Sequence, residues 1–237
     1  MPLKKKAKQK KELKGKSKEI EVIDSSDYRR RNPEKNTLGQ AELERLVSSE
    51  QKSDLIVEKV LYGLPESYSV LLLANPESYS AVKSAILRKL SGEKGIYIAA
   101  NSPFSSLQEE ISKYSLKCDD IFFIDLVSKM TNAKTPAEKN VYYLESANNL
   151  TELMVLIEKT LSPSGSSHFI VFDSISTLLV YNDPKAVEKL IHVLVGQANS
   201  YSAKLILLMV NSREQEGTIE TIGQFCTKVA KIDRAEI

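Results

Sequence analysis

The chain has 237 residues, of which 42% are hydrophobic and 27% charged, which is typical of a folded protein with one large core. Its longest apolar run, Leu205–Val210, falls far short of the roughly 18 residues that a membrane-spanning helix needs. The net charge of +2 conceals a split, because residues 1–18 contain nine lysines and one glutamate. A strongly basic N-terminal segment therefore precedes a mildly acidic body.

The two cysteines indicate a reducing environment. Cys118 and Cys226 lie far apart in the sequence, show no Cys-x-x-Cys spacing, and each adjoins a predicted strand. The N-terminal lysines are not followed by an apolar segment, so we do not expect a secretory signal there. Reduced, partly buried thiols in a cytoplasmic protein are the expectation.

Residues 1–35 are predicted to be a disordered, lysine-rich tail, and residues 36–237 a single domain. Lys4–Lys18 contains one leucine and no aromatic residue, too little apolar surface to offset the entropy of ordering. Two interpretations stay open for this tail. It is either a solvated, solubilising segment or an arm that binds nucleic acid or an acidic surface without sequence preference, through counterion release.

The chain then alternates strands and helices. A helix is predicted from Thr37, and a second apolar cluster at Leu55–Leu61 is stopped by Gly63 and Pro65. Ser105 and Ser106 carry capping-box signals, and Asp183-Pro184 combines a cap with a proline at the first helical position. The predicted strands are Ser69–Leu73, Ile96–Ala100, Ile121–Asp125, Val141–Leu144, Phe169–Phe172, Leu205–Val210 and Thr227–Ile232, with a further helix at Leu150–Leu161. Apolar strands separated by amphipathic helices predict an α/β fold with a mainly parallel sheet flanked by helices.

Val70–Lys83 is the stretch on which the functional interpretation depends. It is predicted to form a short buried strand, a loop and the first turn of a helix. In phosphate-binding NTPases this junction carries a glycine-rich loop whose backbone amides surround the phosphates. Here the sequence contains no glycine between Gly63 and Gly92.

The order of these segments resembles that of the RecA-like ATPases, and in particular their KaiC-like branch, over Leu55–Ile232. Four segments beyond the first strand carry the resemblance: Gly92–Ile98, Ile121–Ser128, His168–Ser176, which is similar to a Walker B strand, and Gln224–Asp233. Asn149–Leu161 and Leu178–Val187 are further similar to a small archaeal subgroup of RecA-like proteins. The resemblance implies a RecA-like P-loop NTPase fold.

The resemblance also implies a Gly-x-x-x-x-Gly-Lys-Thr/Ser motif, which is missing. Alignment from the strand end places Ser80 or Ala81 at the lysine position, whereas alignment on Lys83-Ser84 places Glu77 and Val82 at the glycine positions. Valine there would block the close backbone approach that glycine permits. The vestigial nucleotide-binding positions are Asn75, Ser78, Ser80, Lys83, Ser84 and Asp173.

The catalytic residues that the resemblance implies are also affected. The glutamate that activates water in KaiC-like enzymes corresponds to Ala99-Ala100-Asn101, which offers no general base. Asp173 occupies the metal-binding position of the Walker B strand, but we expect it to cap a helix rather than bind a metal. We therefore expect no catalytic residue, no metal site, and neither ATP nor magnesium as a cofactor.

Other candidate residues have structural interpretations. His168 is expected to be exposed and His192 to lie packed or on a helix flank, and neither has a second ligand at zinc spacing. Ser174 lacks the context of a nucleophile, and sheet packing accounts for Tyr142 and Tyr143. Asn211–Gly223 is predicted to be a loop, either one that senses a ligand or partner or a solvated connection.

The sequence thus predicts a catalytically inactive RecA/KaiC-like domain that acts as a regulatory or scaffolding subunit through association with itself or a related RecA-like subunit. Two alternatives stay open. One is an ATP-binding protein whose unusual phosphate loop uses Lys83 and Ser84. The other is a nucleic-acid-binding accessory factor of the recombinase-paralogue type, in which the basic tail or the core contacts the nucleic acid.

Overall fold

The computed structural model describes residues 49–161 and 168–232. The predicted basic tail, the helix predicted from Thr37 and the domain boundary at residue 36 lie outside the described residues. Within the described residues, no helix is long and apolar enough to cross a membrane.

Seven parallel strands form one sheet in the order β4-β3-β2-β5-β6-β1-β7. The strands are β1 (Tyr68–Ala74), β2 (Gly95–Ala99), β3 (Ile121–Asp125), β4 (Val141–Tyr143), β5 (Phe169–Asp173), β6 (Lys204–Val210) and β7 (Lys228–Ile232). The α-helices described are α1 (Ser49–Leu61), α2 (Pro76–Lys89), α3 (Phe104–Lys113), α4 (Leu150–Thr160), α5 (Ile175–Tyr181), α6 (Pro184–Ser200) and α7 (Glu216–Gly223). All seven predicted strands and the mainly parallel sheet are confirmed.

The sheet separates two hydrophobic clusters because successive strand side chains point to opposite faces. Leu71 and Leu73 of β1 belong to the cluster that also contains residues of α4, α5, α6 and α7. Val70 and Leu72 belong to the other cluster, with residues of α1, α2 and α3. Burial on both faces explains why the strands are almost continuously apolar.

Helix starts follow the predicted pattern in one case and depart from it in another. Asp183 caps α6 as predicted, since its carboxylate accepts hydrogen bonds from the backbone N–H groups of Lys185 and Ala186 at 2.9 and 3.3 Å. The capping-box prediction at Ser105 and Ser106 is wrong, because α3 begins at Phe104. The Phe104 N–H instead donates to the carboxylate of Asp125, 2.7 Å away at the end of β3.

Candidate functional site

The strand β1 runs into α2 without a loop. Only Asn75 separates Ala74, the last residue of β1, from Pro76, the first residue of α2. The Asn75 carbonyl already accepts hydrogen bonds from the N–H groups of Ser78 and Tyr79, at 3.0 and 2.9 Å. The loop predicted at this junction is therefore absent, and a single residue separates the strand from the helix.

Lys83 and Ser84 lie deep within α2 rather than at its start. Lys83 is the eighth residue of the helix, so about 10 Å of helix axis separates it from Pro76. Its ammonium group forms an ion pair with Glu110 of α3, with Nζ and Oε2 3.1 Å apart and each side chain 13% exposed. The Ser84 hydroxyl donates to the other oxygen of the same carboxylate. Glu110 thus joins both residues to α3.

The remaining predicted residues on α2 divide between local and solvent contacts. Ser78 is buried, and its hydroxyl donates to the Asn75 carbonyl at 3.1 Å, within the first turn. Ser80 is exposed on the helix surface. The fold brings Asn75 and Ser78 together at the helix start, but it does not bring Ser80, Lys83 and Ser84 to the same place.

Asp173, the last residue of β5, is completely buried and bound by two tyrosines. The Tyr79 hydroxyl of α2 donates to one carboxylate oxygen, and the Tyr97 hydroxyl of β2 donates to the other at 2.9 Å. Burial raises the pKa of Asp173, whereas the two hydroxyls and the nearby Lys83 act in the opposite direction. Burial, together with the Asp173 charge, also raises the pKa of both tyrosines, so they remain hydroxyl donors.

The prediction that Asp173 caps a helix is wrong. Ser174 is the cap of α5, because its hydroxyl oxygen accepts a hydrogen bond from the Thr177 N–H at 3.2 Å. Ser174 therefore has a structural contact at the start of α5.

The end of β2 contributes amides and a carboxamide. The Asn101 N–H donates to the Asp173 carbonyl at 3.1 Å, and its side-chain oxygen accepts from the Thr177 hydroxyl at 3.2 Å. Ala99 and Ala100 complete this segment. Where the resemblance places a glutamate, the chain therefore has an exposed Asn101 next to two buried alanines.

Two other predictions require correction. His168 is buried, with 4% of its surface exposed, because it directly precedes β5, which lies in the middle of the sheet. Asn211–Gly223 is not mainly a loop, since it contains a short 3₁₀ helix at Arg213–Gln215 followed by α7. His192 is exposed on α6 and packs against Phe225, with ring centroids 4.6 Å apart, which agrees with the predicted flank position.

The two cysteines agree with the expectation from the sequence, whereas Tyr142 is exposed and does not pack within the sheet. Tyr142 is 38% exposed on β4, and its hydroxyl donates to Glu152 at 2.7 Å. Cys118 and Cys226 are both free, and burial raises the pKa of the Cys226 thiol to about 11. Among the described residues, no group of three or more histidine, cysteine or carboxylate side chains could hold a metal ion.

Sequence reasoning missed the residues that complete this site. Glu110, which binds Lys83 and Ser84, could not be identified from the sequence, because a glutamate on a surface helix is expected to face solvent. Tyr97 did carry one: a tyrosine in the middle of a fully buried strand needs a hydrogen-bond partner for its hydroxyl. Asp173, a carboxylate at the end of an equally buried strand, was the natural partner.

Comparison with known proteins supports the fold through structure alone. No protein-family model and no curated protein matches the sequence. A KaiC-like protein, PH0186 of Pyrococcus horikoshii, is similar with a TM-score of 0.51 at 15% identity, over 74% of this chain and 76% of that one. PH0321 of the same archaeon, solved with an unknown peptide, has a TM-score of 0.58 at 11% identity, over 75% and 82%.

The chain therefore has a RecA-like P-loop NTPase fold, the class that the sequence predicted. Within that class, it shares its fold with KaiC-like proteins.

Proposed function

We propose that this chain is a RecA/KaiC-like domain that neither binds nor hydrolyses ATP and acts as a regulatory or scaffolding subunit through protein association. The observation that carries the proposal is the junction of β1 and α2 through Asn75 alone. A triphosphate needs several successive backbone N–H groups curved around it, and these come from a loop between strand and helix. One residue cannot supply that loop, and Pro76 has no N–H to offer.

The position of the lysine supports the same conclusion. A lysine about 4 Å from a phosphate contributes up to ~4 kcal/mol at an effective dielectric near 20, which corresponds to nearly three orders of magnitude in affinity. Lys83 is instead paired with Glu110, about 10 Å along the helix from Pro76. A phosphate near the start of α2 would lack this contribution.

The metal-binding carboxylate that the resemblance implies is also occupied. Both oxygens of Asp173 accept tyrosine hydroxyls, and no part of the residue is exposed. A magnesium ion at this position would have to displace Tyr79 and Tyr97 and hydrate a buried site. The residues present therefore do not fit Mg-ATP, and no catalytic step is assigned to them.

The two alternatives, ATP binding and nucleic-acid binding, depend on different parts of the chain. An ATP-binding role for Lys83 and Ser84 is disfavoured by their shared contact with Glu110. A nucleic-acid-binding role depends on Lys4–Lys18, which lies outside the described residues. Binding that vanishes when residues 1–18 are deleted would be electrostatic, whereas binding that survives would belong to the core.

Calorimetric titration with Mg-ATP, together with phosphate release, tests the proposal. We expect no saturable heat at millimolar nucleotide, and the same background phosphate release from wild type and from the Asp173→Asn and Lys83→Met variants. Phosphate release that exceeds background and is lost on Asp173→Asn would overturn the proposal. A binding isotherm lost on Lys83→Met would establish the first alternative.

A further inference from the structure

A groove opens at the amino-terminal edge of the sheet, opposite the edge that holds Asp173. It has a volume of about 380 Å³ and lies between the end of α1 and the first residues of β1, β5 and β6. Its apolar lining includes Leu61, Leu64, Tyr68, Leu90, Phe169 and Ile206. Four of these six, Tyr68, Leu90, Phe169 and Ile206, are buried, so the sheet and α2 provide a preformed floor. We call this the Tyr62 groove, after the residue at its rim.

Tyr62 stands at the rim of this groove and is 85% exposed. Leu55, seven residues earlier on α1, is 60% exposed. Tyrosine is enriched at protein interfaces, where its ring buries area at a small entropic cost and its hydroxyl stays hydrated. An apolar groove and an unburied aromatic side chain thus occupy one continuous patch.

The charges around the Tyr62 groove are of both signs. Glu58, Glu66 and Glu93 lie beside Lys89 and Lys204, and none of the five forms an ion pair among the described residues. A partner of one predominant charge, such as a nucleic acid or a lysine-rich segment, would meet like charges here. A partner with the same mixture of charges can pair all of them.

We propose that the Tyr62 groove is an interface between two copies of this chain, in which Tyr62 of each copy inserts into the groove of the other. A twofold interface requires a self-complementary patch. The groove meets that requirement, because it lies next to its own exposed tyrosine and is ringed by charges of both signs that form no ion pair among the described residues. The inference rests on the proposed role in protein association and names its surface and partner. The opposite edge of the sheet, at the carboxyl ends of the strands where Asp173 lies, takes no part in this interface.

Sedimentation equilibrium of the full chain at micromolar concentrations tests the interface. We expect wild type to dimerise and Tyr62→Asp to raise the dissociation constant at least tenfold without changing the far-UV circular dichroism spectrum, because this side chain is already exposed in the monomer. Val180→Asp is the matched control, since Val180 is 73% exposed on α5, which packs on the other face of the sheet. A monomeric wild type, or a Tyr62→Asp variant that dimerises as well as wild type, would overturn the proposal.

Charge segregation gives a second, independent test. One variant carries Lys89→Glu and Lys204→Glu, and the other carries Glu58→Lys, Glu66→Lys and Glu93→Lys. Each variant alone should be monomeric through like-charge repulsion, and an equimolar mixture should form a heterodimer that weakens with salt. A mixture that stays monomeric, or variants that still self-associate, would contradict the inference.

The two proposals fail in distinguishable ways. A monomer that gives no nucleotide isotherm would refute the Tyr62 interface and leave the absence of nucleotide chemistry in place. A dimer that binds Mg-ATP would do the reverse.

Discussion

Asp125 and Asp173 end two strands on either side of β2, and both are paired in register with Ala99. Both are completely buried. Asp125 accepts from the N–H groups of Phe104, Val127 and Ser128 and from the Ser128 hydroxyl, at 2.6 to 2.8 Å. Among the described residues, the Asp173 carboxylate accepts hydrogen bonds only from the two tyrosine hydroxyls.

The two carboxylates are equally buried at the same level of the sheet, yet they have different structural roles. Backbone N–H groups can only donate, so the site around Asp125 demands an acceptor at both oxygens. Hydroxyl groups can rotate and also accept, so the site around Asp173 tolerates a donor. Asp125 organises the turn after β3 and the start of α3, whereas Asp173 is held by two side-chain hydroxyls.

The largest expected effect comes from Asp125→Asn. Its amide NH₂ would face backbone donors on at least one side and leave them unpaired, at about 1–3 kcal/mol for each buried group. We expect the free energy of unfolding to fall by about 3 kcal/mol or more in urea denaturation. The exposed Asp119→Asn substitution is the control and should stay within about 0.5 kcal/mol. A loss at Asp125 no greater than that of the control would remove the contrast.

Lys83→Met should have an intermediate effect. Among the described residues, it leaves the largely buried Glu110 carboxylate with only the Ser84 hydroxyl, and we expect the free energy of unfolding to fall by about 1–2 kcal/mol in the same measurement. Lys189→Met, at an exposed position of α6, is the control. If Lys83 were a nucleotide-binding lysine rather than a structural one, its removal would change nucleotide affinity with little change in stability.

Tyr79→Phe should cost about 1 kcal/mol, since it removes one hydrogen bond to Asp173 and retains the ring. Tyr97→Phe should cost a similar amount. Because both hydroxyls bind one carboxylate, the double variant should deviate from additivity in a thermodynamic cycle. Strict additivity would mean that Asp173 does not couple the two tyrosines.

Asp173→Asn should have the smallest effect at neutral pH, below about 1 kcal/mol, because both tyrosine hydroxyls can reorient. Its pH dependence is more informative. Burial raises the pKa of Asp173, so the folded state holds this proton more tightly than the unfolded state does. The stability of wild type relative to Asp173→Asn should therefore be highest below about pH 4 and fall as pH rises through the folded pKa. A difference that stays constant from pH 4 upward would indicate an unshifted carboxylate.

Much of the fold could be predicted from the sequence because its signals are local. Apolar runs located all seven strands, and Asp183-Pro184 located the start of α6. The same logic applied to Asn75-Pro76 would have shown that α2 begins directly after β1, but the family motif suggested a loop there. The helix α7 was missed because it has only eight residues, and the cap of α5 was assigned to Asp173 instead of Ser174.

The site was harder to predict because its contacts join distant parts of the chain. The hydrogen bonds that Asp173 accepts from Tyr79 and Tyr97 span 94 and 76 residues of the sequence. The Phe104 N–H at the start of α3 donates to Asp125, which lies 21 residues further along the chain. Local cap rules cannot identify such partners. Those rules predicted a helix cap at Asp173, but the hydrogen bond that caps α5 is accepted by Ser174.

The lack of a phosphate-binding loop between β1 and α2 is tested most directly by measuring the free energy of unfolding with and without Mg-ATP. A ligand present at 100 times its dissociation constant adds about 2.7 kcal/mol to that free energy. We predict no change between zero and millimolar Mg-ATP, for wild type and for Asp173→Asn alike. A nucleotide-dependent increase of that size in wild type, lost in Lys83→Met, would show instead that this chain binds nucleotide through Lys83.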